Sequence, residues 1–162
     1  MRLLMFAIVA ATVGYTLSVF INSTVSAATL VGFGIEVSLG DRIQMTATEW
    51  MGLAGTYLPI YLGLHVIIFL LLHRFLKNKN GSVAANTTRR SIIFAITGAL
   101  SLLLVYLGFD EAMGLGGVLV ASGRTLGGLL ANVATGAISG LIFAALSTGS
   151  HESTLSDTPA GA

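Results

Sequence analysis

Few side chains in these 162 residues are equipped for chemistry, and His65 stands apart from the rest. It is the only ionisable group well inside a long apolar stretch, and Tyr61 and Tyr57 precede it by one and two helical turns. On a helix the three share a face. An imidazole beside phenols within hydrocarbon suits a proton relay, a quinone contact or an axial haem ligand. It suits equally a neutral ring hydrogen-bonded to a tyrosine or to a backbone carbonyl of a neighbouring helix. Haem needs a second ligand across the bundle. His73 lies two turns further along the same helix and His151 lies in the C-terminal tail, so a bis-histidine site would take a dimer. No cofactor is expected.

The remaining candidates are weaker. Asp110 and Glu111 are adjacent, so on a helix they point about 100° apart, with no histidine near them in sequence. No metal site is expected there. Arg124 stands just before the last apolar stretch, and the spacing predicts an ion pair with Asp110 or Glu111. Snorkelling to headgroups and anion binding are the alternatives. Gly114 to Gly117 and Gly123 to Gly128 are rich in glycine but lack the Gly-Lys-Ser/Thr ending that reaches phosphate and magnesium. The absence of cysteine excludes disulfides, thiolate metal sites and cysteine nucleophiles.

The elements that must position these residues follow from composition. Apolar residues make up 54% and charged residues only 9%, against roughly 25% charged in a soluble domain. Lipid, unlike water, does not require a charged surface. A net charge of +1 provides no field for nucleic acid. Four stretches, about 3–21, 50–76, 92–109 and 126–146, are long and apolar enough to cross about 30 Å of hydrocarbon. The expected fold is an all-α membrane protein, a four-transmembrane-helix bundle over 1–148 with a polar, disordered tail over 149–162. The first stretch could instead be a secretory signal ending at Val25-Ser26-Ala27, leaving three spans. Its apolar run of about 19 residues exceeds the roughly 7–15 of a signal core, which favours an uncleaved anchor.

Arg74, Lys77, Lys79, Arg89 and Arg90 gather in or beside the connection between the second and third spans. That connection should be cytoplasmic, and with four spans both termini then lie in the cytoplasm, with a bacterial inner membrane as the setting. Between the first two spans, Ile35, Val37 and Leu39 alternate with polar residues, Gly40-Asp41 punctuates, and Ile43 and Met45 alternate again. This pattern predicts a small extracytoplasmic β-hairpin over about 34–46, with Val118 to Ala121 as a possible third strand. Thr46-Ala47-Thr48-Glu49 predicts a capping box opening the second span, and Pro59 predicts a kink near Gly55.

Packing is written most clearly in the last span. Gly128, Asn132, Gly136, Gly140 and Ala144 recur every four residues and build a flat ridge with one amide. Lipid supplies no hydrophobic drive between helices, so close backbone approach and interhelical hydrogen bonds must supply association. The first span repeats the device at Ala7, Ala10, Ala11 and Gly14. The ridge serves either packing within the chain or a docking face for another membrane subunit or a second copy. With no catalytic constellation in view, the expected function is a non-catalytic accessory or structural subunit of a larger membrane complex, docking through this small-residue face of the last span. The alternatives are a small oligomeric transporter or channel and, further back, a redox or enzyme component working through His65.

Overall fold

The computed structural model describes residues 1–79, 87–113 and 125–155, and these form five helices and no strand. They are α1 (Arg2–Gly32), α2 (Leu39–Ala54), α3 (Tyr57–Lys79), α4 (Thr87–Met113) and α5 (Leu126–Leu155). α1, α3, α4 and α5 are long and apolar enough to cross a membrane. They pack in the ring order α1, α3, α4, α5, each antiparallel to its neighbours, as an up-down-up-down bundle. The surface is that of an integral membrane protein: Leu4, Ile8, Ile67, Leu71, Ile96, Leu100, Leu104 and Leu130 face outward, while Ser18, His65, Ser101, Asn132 and Ser139 are buried. Outward-facing threonines donate their hydroxyls to the backbone four residues back, as Thr12 does to Ile8 and Thr24 to Phe20, which suits a medium without water.

The tightest seam joins α4 to α5. A Cβ added to Gly98 would overlap the Gly136 carbonyl, one on Gly136 the Gly98 carbonyl, and one on Gly140 the Phe94 carbonyl. Only glycine allows the two backbones this close. Gly128, Asn132, Gly136, Gly140 and Ala144 are all buried within the chain. On the other flank of α5, Ser139 donates to the Ala10 carbonyl at 2.8 Å, and Ala7, Ala10, Ala11 and Gly14 line the α1 face.

The expected β-hairpin over 34–46 is not formed. Residues from Leu39 onward are helical, and Ser38 is the N-cap: its hydroxyl accepts from the Asp41 amide while Asp41 Oδ2 accepts from the Ser38 amide at 2.9 Å. The reciprocal pair satisfies two backbone donors at once. A lone two-stranded hairpin is marginal in water, and Val118 to Ala121 lie outside the described residues. The capping box therefore sits at Ser38-Asp41, eight residues before the one expected at Thr46-Glu49. Thr46 is interior to α2, its hydroxyl bonded to the Arg42 carbonyl and to Ser23.

The second apolar stretch is likewise two helices. α2 ends at Ala54, Gly55-Thr56 form a turn, and the membrane-length segment is Tyr57–Leu76. Pro59 is the third residue of α3, where its missing N–H removes no intrahelical bond, so the break precedes it instead of kinking a continuous rod. α1, with 31 residues, is about 46 Å long at about 1.5 Å per residue. Its Ser18 is level with Tyr57, so nearly half of α1 runs beyond the start of α3, with α2 beside it. α5 stays helical to Leu155, past the point where a disordered tail was expected, and 156–162 lie outside the described residues.

Candidate functional site

The interior of the bundle is a column of polar and aromatic side chains, and α3 supplies its spine. Tyr57, Tyr61 and His65 do share one face: ring centroids are 5.7 Å apart from Tyr57 to Tyr61 and 4.2 Å from Tyr61 to His65, the latter pair stacked at 9°. All three are buried, His65 completely. Tyr15 of α1 packs its ring against both tyrosines and donates its hydroxyl to the Trp50 carbonyl at 2.8 Å. The Tyr61 hydroxyl fills the space that a side chain at Gly14 would take, beside Ser139.

One hydrogen-bond chain ties all four membrane-length helices together at the level of Tyr57. Ser18 donates to Asn132 Oδ1, so its own lone pairs are left to accept, and the Tyr57 hydroxyl lies 3.2 Å from it. Tyr106 of α4 is 3.4 Å from Tyr57. The consistent direction is Tyr106 to Tyr57 to Ser18 to Asn132. Asn132 in turn donates Nδ2–H to the Gly128 carbonyl at 3.0 Å. The amide of the α5 ridge is thus a cross-link inside the chain.

His65 lies one layer deeper. Its Nδ1 is 2.9 Å from the Tyr61 carbonyl, which can only accept, so Nδ1 carries the hydrogen. Nε2 is 3.2 Å from Ser101 Oγ, and the same hydroxyl is 2.8 Å from the Gly98 carbonyl. In a neutral ring Nε2 accepts a hydrogen bond from the Ser101 hydroxyl. A protonated ring would donate to Ser101, which would then donate to Gly98. One hydroxyl rotor thus satisfies either form.

Below His65 the column closes. Phe69, Phe94 and Phe143, from α3, α4 and α5, are fully buried with centroids 5.0 to 5.9 Å apart. Beyond this aromatic plug is a second polar layer, in which Arg90 Nη2 is 2.7 Å from His73 Nδ1 and 2.8 Å from Ser147 Oγ.

Ser18, Ser101, Ser139 and Tyr106 escaped the sequence reading because lone hydroxyl residues in apolar helices carry no periodic signal. Gly98 is one of two glycines in its span, with Gly108, and has no partner row to mark it. The ion pair expected between Arg124 and Asp110 or Glu111 lies outside the described residues, as Arg124 and those two side chains are not among them. No family model, no curated protein and no solved structure matches this chain.

Proposed function

We propose that the chain is a non-catalytic subunit of a larger membrane assembly, seated in a bacterial inner membrane with both termini in the cytoplasm. The orientation rests on Arg74, Lys77, Lys79, Arg89 and Arg90 around the α3–α4 connection. The observation that carries the subunit role is α2. It buries no residue, and it displays Leu39, Ile43 and Met51 at 76%, 64% and 67% exposure, next to exposed Phe33 and Ile35. At 16 residues α2 is too short to cross a bilayer. Since the α5 ridge is spent inside the chain, docking in this proposal falls to α2 and the end of α1. Purification in mild detergent with mass spectrometry tests it: stoichiometric membrane partners should accompany the wild type and be lost from an Ile43→Glu, Met51→Glu variant that retains its thermal stability. A stable monomer without partners in both would overturn it. A reporter active only in the periplasm should be silent after Ala162 and active near Gly40.

A second reading, proton-linked transport through His65, draws on the Ser101 rotor. Under the subunit reading His65→Leu stays inserted and keeps its partners. Loss of a proton-coupled activity with assembly intact would favour the second.

A further inference from the structure

Among the described residues, the buried layer below the aromatic plug holds a cation and no anion. Arg90 is 8% exposed, and among the described residues no carboxylate reaches it. Both hydrogens of Nη2 go to neutral partners. A guanidinium only donates, so His73 Nδ1 is an acceptor and the His73 ring is neutral with its hydrogen on Nε2. Ser147 is a hydroxyl that itself donates to the Ala144 carbonyl. Nε and Nη1 have no hydrogen-bond partner at all, although both are buried. The guanidinium stands over the Phe94 ring, 5.6 Å from its centroid, which offsets only part of the charge.

The backbone sharpens the imbalance. Arg90 is in the first turn of α4, which holds no acidic residue and begins Thr87-Thr88-Arg89. A helix N-terminus carries roughly half a positive charge, so cations there are disfavoured and anions favoured. Arg89 and Arg74, the chain neighbours of Arg90 and His73, are exposed at the same end. A buried charge left unpaired is among the most costly features a fold can carry. An oxyanion is the one group that answers the helix end, the charge and the two unused donors together.

We propose that Arg90 binds a phosphate group at the α3–α4–α5 end of the bundle, in the layer shared with His73 and Ser147. Nε and Nη1 are its donors, and the first turn of α4 adds its field. Both nitrogens are covered, so the phosphate enters as this end of the bundle loosens, and its arrival replaces two unmade hydrogen bonds with charge-assisted ones. The chemistry is shared by an anionic phospholipid headgroup and by free phosphate. It does not depend on whether α2 docks a partner.

The test is thermal unfolding of delipidated full-length protein in neutral detergent. Phosphatidylglycerol, phosphatidylcholine, inorganic phosphate and sodium chloride of matched ionic strength are added in separate arms. Wild type and Arg89→Gln should be stabilised by phosphatidylglycerol well beyond phosphatidylcholine or salt. Arg90→Gln should lose that response, with binding weakened roughly tenfold or more, and should be at least as stable as the wild type in lipid-free detergent. Stabilisation by inorganic phosphate at matched ionic strength assigns the site to the free anion, and its absence assigns it to the lipid. If Arg90→Gln does not fold, Arg90→Lys, which keeps the charge but not the fork, should retain a weakened response. No selective stabilisation of the wild type by either phosphate source, or equal loss in Arg89→Gln and Arg90→Gln, would overturn the assignment.

Discussion

α5 and α2 are opposite solutions to the same problem of placing a helix. α5 buries Gly128, Asn132, Thr135, Gly136, Ser139, Gly140, Phe143, Ala144 and Ser147, and its backbone touches that of α4 while Ser139 reaches the backbone of α1. α2 buries nothing. It is held locally, by the Ser38–Asp41 box at its start and by Thr46 and Trp50 against α1. The difference shows what each medium demands. Where lipid surrounds the chain, helices associate by fit, and a methyl group in the wrong place is decisive. Where a helix lies beside the bundle, its own caps and a few side chains hold it, and single changes act locally.

The largest expected effect therefore falls on the α4–α5 seam. Gly140→Ile drives a side chain into the Phe94 carbonyl, and Gly136→Ile does the same to Gly98. Each should cost more than about 3 kcal/mol, since backbone must move, and should abolish a cooperative melt in detergent. Leu129→Ile, on a half-buried position off the ridge, should leave the melt within a few degrees of wild type. Equal behaviour of the three would remove the seam from the account.

A step smaller is the polar cross-link on the same helix. Asn132→Leu strips the acceptor from Ser18 and should cost about 1–2 kcal/mol. Part of that cost is the orphaned hydroxyl, so the Ser18→Ala, Asn132→Leu double variant should be less destabilised than the sum of the singles. Strict additivity would mean that the bond between Ser18 and Asn132 contributes nothing.

Both helices were present in the sequence to unequal degrees. The α5 row was legible because a four-residue recurrence of small side chains has few readings, and the shared face of Tyr57, Tyr61 and His65 followed from spacing alone. α2 was misread because Ile35, Val37, Leu39, Ile43 and Met45 satisfy a two-residue period, while Leu39, Ile43, Ala47 and Met51 satisfy a helical one over the same segment. Short amphipathic segments fit both periods. The deciding signal was Ser38 three residues before Asp41, a helix start that Gly40-Asp41, taken as a turn, obscured. The Arg90–His73–Ser147 layer was illegible for another reason: its members come from three helices, and Arg90 resembles any loop-flanking basic residue until its burial is known.

Local control of α2 is sharpened by Ser38→Ala. Losing the cap should cost about 1 kcal/mol and should appear as faster amide exchange in Leu39–Ala54, with the bundle melt unchanged. A comparable loss of protection in α5 would mean that the two helices are coupled after all.

The smallest effect expected is a dependence of α2 on pH, with two carboxyls working in opposite senses. Hydrogen bonds from the Ser38 side chain and amide hold Asp41 below the ordinary carboxylate range. Its contribution is complete above that range and is lost as pH falls through the lowered value. Glu49 is pushed up by burial, with the Ser26 hydroxyl opposing, and its Oε2 is buried without a partner. A carboxyl raised in the fold stabilises in its protonated form, so this contribution is complete below the ordinary range and lost as pH rises through the raised value. α2 should therefore be most ordered in the mildly acidic window between the two. Trp50 is the only tryptophan and packs edge-on against Tyr15 at 5.7 Å, so its fluorescence reports α2 directly. Glu49→Gln should flatten the change on the neutral side and leave the acid side intact, while Asp41→Asn should do the reverse. A Glu49→Gln variant whose emission still shifted on the neutral side as the wild type does would show that Glu49 is not the group responsible.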